Sequence, residues 1–178
     1  LKQFLERIGL VDYLTTELEM TKNDFVSRLS KHVDKGSTSA FADSFDVFSS
    51  SKNEYKGYVG YDDFKIKRRR KFFDSASSLA VAQGTYRQMN DKLVIQTKIN
   101  GFSKMFIPLF ILFAIFYVGI IIAILVSGNS DESPPFFMVP FILLHGVFML
   151  LIPYFVMKRG VKRLKHELER EFYFMTKG

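Results

Sequence analysis

The sequence predicts an α+β membrane protein: a small antiparallel β-meander domain with a covering helix, followed by a two-helix transmembrane hairpin and a C-terminal amphipathic helix. Three observations predict it. Residues 105–126 and 134–157 form runs of 22 and 24 residues without a charged side chain. At ~1.5 Å per residue, either run spans the roughly 30 Å hydrocarbon core of a bilayer. The short stretch Ser127–Pro134 between them returns the chain as a hairpin. Upstream, residues 54–99 alternate apolar and polar side chains around turn-forming clusters, the signature of paired strands. All five prolines (Pro108, Pro134, Pro135, Pro140, Pro153) fall in the apolar region, so strands and helices before it run without a proline break. The expected organisation is a cytoplasmic α+β domain over 1–101, the hairpin over 102–157 with spans at about 105–126 and 135–157, and a basic amphipathic helix over 158–178.

Taken in order, Leu1–Gly9 reads as a short helix with Phe4, Leu5 and Ile8 on one face and Gly9 as its stop. Leu14, Thr16, Leu18 and Met20 alternate as in a strand. Thr21 followed by Asp24 is a capping arrangement for a helix from Lys22 to about Val33, whose stripe is Phe25, Val26, Leu29 and Val33. Phe41, Phe45 and Phe48 fit a helix, while Phe45 and Val47 also fit a strand, so that stretch stays open. Tyr55–Val59 and Phe64–Arg70 flank a turn at Gly60–Asp63. Ser78–Arg87 and Lys92–Ile99 flank a second turn at Met89-Asn90-Asp91, with Leu93, Ile95, Thr97 and Ile99 on one face. Two successive hairpins predict a meander of four or five strands covered by the Lys22–Val33 helix. The last strand reaches the first span almost at once, which places the sheet near the membrane surface. After the second span, Val161, Leu164, Leu168 and Phe172 form a stripe on a charged helix that extends from the bilayer or lies at its interface.

Charge placement sets the expected orientation. The net charge is +7. Lys92, Lys98 and Lys104 precede the first span, and Lys158, Arg159, Lys162, Arg163, Lys165 and Arg170 follow the second. The connecting loop carries only Asp131 and Glu132. The positive-inside rule then puts both termini in the cytoplasm and the loop outside. With 20 Phe and no Trp, Phe and Tyr must serve as the interfacial anchors.

Catalytic patterns fail one by one. The chain has no Cys, so thiolate metal sites and Cys nucleophiles are excluded. His166-Glu167-Leu168-Glu169-Arg170 begins like the zinc motif HExxH, but Arg170 occupies the second ligand position. Phosphate-loop and nucleophile-elbow patterns are missing, and His32, His145 and His166 lie in separate segments. No metal, cofactor or catalytic residue is therefore expected.

Two constellations remain. Lys65, Lys67, Arg68, Arg69, Arg70 and Lys71 are the densest cluster of cations. They read either as a site for anionic headgroups or an acidic partner, or as the solvated face of a strand. Nucleic acid is disfavoured, since no recognised module accompanies the charge. The second constellation is His145, at the middle of the second span, with Tyr117 at matching depth in the first. An intramembrane ionisable group is a functional candidate by default. Neither span offers Asp, Glu, Lys or Arg as a further station for a proton or ion. A hydrogen bond to Tyr117, or to a carbonyl freed by Pro140 or Pro153, is the favoured role.

The stretch EYKGYVGYDDFKIKRRRKFF, then AVAQGTYRQMNDKLVIQTKINGF running into the hairpin, resembles small bacterial two-span membrane proteins of the YcxB-like group. In that group a small β-rich domain accompanies a transmembrane hairpin. The resemblance implies location in the bacterial inner membrane and supplies no catalytic residue. The expectation is a non-enzymatic accessory or structural subunit partnered by other membrane proteins, or alternatively a self-standing regulator whose basic β-domain binds anionic phospholipids.

Overall fold

The computed structural model of the protein describes residues 2–39, 51, 53–69, 79–103, 106–127 and 138–177. The chain divides into two compact units, Leu1–Ser103 with Val156–Gly178, and Lys104–Phe155.

The first unit is built on a six-stranded mixed sheet. A short helix α1 (Lys2–Arg7) leads to β1 (Val11–Leu18). Helix α2 (Lys22–His32) is capped by Thr21, whose Oγ1 accepts the Asp24 N–H at 3.2 Å and donates to its carboxylate at 2.7 Å. The strands β2 (Val33–Lys35), β3 (Tyr55–Val59), β4 (Asp63–Arg68), β5 (Val81–Met89) and β6 (Lys92–Asn100) complete the sheet. The spatial order is β1-β6-β5-β4-β3-β2, antiparallel except for the parallel β2·β3 pair. The expected four- or five-stranded antiparallel meander is thus corrected at both edges. β1 returns to pair along β6, and three residues beginning at the β-branched Val33 add a parallel strand directly after α2. Phe41, Phe45 and Phe48 lie outside the described residues.

Alternation decides which side chains face the helices. Leu14 and Leu18, Leu93, Ile95 and Ile99, Ala82 and Tyr86, and Phe64 and Ile66 all point inward and are buried. The helix α3 (Phe106–Ser127) precedes α4 (Met138–Lys177), a continuous helix of 40 residues. The part of α4 in the first unit adds Val161, Leu164, Leu168 and Phe172 to the same core as Phe25 and Leu29 of α2. The Phe172 ring meets Phe25 edge-on at 5.4 Å and Phe64 at 6.1 Å, and Phe64 stacks on Tyr86 at 5.6 Å. Two helices therefore cover the sheet where one was expected. The C-terminal stripe, expected on a helix that extends from the bilayer or lies at its interface, belongs to the continuous helix α4 and packs its apolar face against the sheet.

Two glycines are dictated by close approach. At Gly84 a Cβ would stand 2.3 Å from the Phe64 ring. Gly57 has φ +149° and would bring a Cβ to 2.1 Å from the Lys65 carbonyl oxygen, so only glycine fits there.

The second unit contains α3 and the first half of α4. Both helices are long and apolar enough to cross a membrane, and no part of their most apolar windows is buried within the chain. Pro108 and Pro140 sit in the first turns of their helices, where no N–H is required. Pro140, expected with Pro153 to free a carbonyl in the second span, is therefore accommodated, while Pro153 lies in the interior of α4.

Candidate functional site

β4 places its cations on both sides of the sheet. Arg68 shares the inner face with Phe64 and Ile66, and its guanidinium pairs with the Glu167 carboxylate of α4. Arg163 donates to the same carboxylate at 2.8 Å. On the outer face, Lys67 stands opposite Lys56 of β3, and both are buried. Arg69 donates to Asp34 at 2.5 Å, and the Asn53 amide donates to the other carboxylate oxygen at 2.7 Å. Hydrogen bonds from Ser51 and Asn53, with the charge of Arg69, hold the Asp34 carboxyl below the usual range against a smaller opposing effect of burial. Arg70 and Lys71 lie outside the described residues. Of the predicted basic cluster, Lys67, Arg68 and Arg69 are taken up within the fold, and Lys65 is exposed. Beside them, burial and the carboxylates of Glu167, Glu171 and Glu54 push the Tyr55 hydroxyl upward, so it stays protonated.

The outer face near Lys65 carries two rows that sequence reasoning did not single out. Register aligns Tyr13, Lys98, Gln83, Lys65 and Tyr58 across five strands, and Thr15, Gln96, Thr85 and Asp63 across four. All of them except Tyr58 line a concavity of about 560 Å³. The signal was present in the sequence as the polar partners of the inward residues, but assembling it needs the strand order. At its rim, Tyr13 donates to Glu6 at 2.6 Å, and that hydrogen bond to the carboxylate raises the phenol above its ordinary range.

In the second unit the structure brings Tyr117 and His145 together. The tyrosine oxygen lies 2.7 Å from Nδ1 of His145. Gly146 makes room for this pair, since a Cβ there would meet the Tyr117 ring at 3.2 Å. His145 is exposed on the hairpin surface, and Tyr117 engages only Nδ1 of its ring. Whichever tautomer forms, Nε2 is left as a donor or an acceptor. The exposed His166 lies 4.0 Å from Glu169, and among the described residues no three acidic or histidine side chains are grouped to hold a metal ion.

No family model, curated protein or solved structure matches the chain.

Chemically, the hairpin offers Nε2 of His145 to its surroundings, and the sheet offers a cationic concavity.

Proposed function

We propose that the protein is a non-enzymatic accessory subunit of a larger complex in the bacterial cytoplasmic membrane, with both termini cytoplasmic and the Ser127–Pro134 loop outside. The observation that carries this reading is His145. Its ring is exposed on the side of a helix apolar enough to span a bilayer, and its Nε2 needs a counterpart. In hydrocarbon an unmatched polar group costs several kcal/mol, so a neighbouring transmembrane helix with a polar side chain at that depth is the natural occupant. The apolar faces around it, with Ile115 65 % and Phe141 68 % exposed, supply packing surface for the same neighbour or for lipid. The charge asymmetry of the loops supports the orientation, and the resemblance to YcxB-like two-span proteins supports the compartment. Direct contact of the basic strand with anionic lipid draws less support, because Arg68 and Arg69 are tied to carboxylates and Lys67 is buried.

Gentle detergent extraction, sizing and mass spectrometry of co-purifying chains test the proposal. The wild type is expected to elute with a partner membrane protein. His145→Leu is expected to release it, and His145→Asn to retain it through an amide that still donates and accepts. A wild-type chain that elutes alone after extraction in several mild detergents refutes the reading. Impermeant thiol labelling in intact cells tests orientation: a cysteine at Ser130 should react and one at Ser51 should not.

A further inference from the structure

We propose that the outer face of the sheet binds a phosphate ester bearing a hydroxylated substituent, seated on Lys65, Gln83 and Lys98. In the cross-strand row, Lys65 and Lys98 both stand directly opposite Gln83, which sets their backbones about 9.6 Å apart at two strand spacings. Lysine tails are long enough to reach over the amide between them, so one tetrahedral anion could be met by two ammonium groups and a neutral donor. Among the described residues neither lysine has a carboxylate partner, in contrast to Arg68 and Arg69 on the same strand segment. Two like charges in one row repel each other when empty, and a bound anion relieves that repulsion.

The adjacent row explains the rest of the ligand. Thr15, Gln96 and Thr85 present hydroxyls and an amide, and Asp63 closes the row with an acceptor. These groups suit hydroxyls on a small polyol. The volume of about 560 Å³ falls in the range of small-molecule sites. A glycerol- or sugar-phosphate fits this chemistry, whether free in solution or displayed as a phospholipid headgroup. The site is independent of the His145 contact, so either proposal can fail alone.

The test uses the full chain in a neutral maltoside detergent, titrated calorimetrically with inorganic phosphate, glycerol 3-phosphate, and dihexanoylphosphatidylglycerol below its micellar concentration. Either ester is expected to bind more tightly than inorganic phosphate. The double variant Lys65→Gln, Lys98→Gln is expected to weaken ester binding by roughly tenfold or more, the scale of losing charged hydrogen bonds. Lys31→Gln with Lys35→Gln removes the same charge elsewhere and should leave binding within about twofold, the scale of screened surface charge. Binding of the lipid alone assigns the ligand to headgroups, and comparable binding of glycerol 3-phosphate assigns it to a soluble ester. Failure of both esters to bind, retained binding in the Lys65/Lys98 variant, or equal loss in the Lys31/Lys35 variant overturns the proposal. A circular-dichroism spectrum matching wild type shows that each variant is folded.

Discussion

Replacing Phe172 by alanine removes the ring wedged between Phe25 of α2 and Phe64 of β4. Phe172 is fully buried, and both contacts are edge-on at 5.4 and 6.1 Å. Loss of a core phenylalanine costs about 3–5 kcal/mol through lost transfer energy and the cavity left behind. That is a large fraction of the ~5–15 kcal/mol available to a domain. With an unfolding entropy of ~2.1 cal/mol/K per residue over this unit, the melting temperature should fall by about 15 °C. Tyr86 packs 5.4 Å from Phe25 and 5.6 Å from Phe64, so near-ultraviolet circular dichroism of the full chain in detergent follows this core directly. The neighbouring Tyr173→Ala removes a side chain that is 53 % exposed, and should shift the transition by only about 2 °C. Equal small shifts for the two variants would refute the packing of α4 against the sheet.

Glu167→Gln removes a carboxylate charge shared by Arg68 and Arg163 and should destabilise by ~3 kcal/mol in the same melt, whereas Glu169→Gln on the exposed side should stay within about 0.5 kcal/mol. Asp34 has a lowered native pKa, so its contribution is complete above the ordinary carboxylate pKa and is lost as pH falls through the native value. Melting temperatures between pH 7 and pH 3 should therefore fall less steeply for Asp34→Asn than for wild type. Gly57→Ala meets both a positive φ and the Lys65 carbonyl, and should cost about 3 kcal/mol or prevent folding. Gly36→Ala, where a Cβ would find Lys56 carbon atoms at 3.9 Å, should change stability by less than about 1 kcal/mol.

Local signals carried much of this architecture. Thr21 and Asp24 specify the start of α2, since both halves of the cap lie within one turn. Leu93, Ile95, Thr97 and Ile99 identify the inner face of β6, because side chains alternate with period two. Tyr117 and His145 align because a hairpin pairs positions at equal distance from its turn. What remained hidden was long-range. Val161, Leu164, Leu168 and Phe172 make the same helical stripe whether they meet water, headgroups or a sheet. Nothing near Lys67 marks it for burial, and Arg68 becomes a core-side ion pair only when Glu167, far along the chain, is brought beside it. The edge positions of β1 and β2 are likewise choices among partners that each strand's own pattern leaves equal.

The core of the sheet unit is shared between the beginning and the end of the chain, with the apolar hairpin made in between. During synthesis, the inner face formed by Phe25, Phe64 and Ile95 waits uncovered until residues 161–172 arrive. At typical elongation rates that delay is on the order of 3–12 s. Throughout it, the newborn domain is a sticky half-molecule, and it closes only when residues 161–172 reach the inner face of the sheet. Under the proposed membrane location, a single crossing would leave the last helix on the side opposite the sheet, and the sheet open to chaperones and proteases. Under the same proposal, completion of the sheet unit would thus act as a built-in proofreading step for insertion.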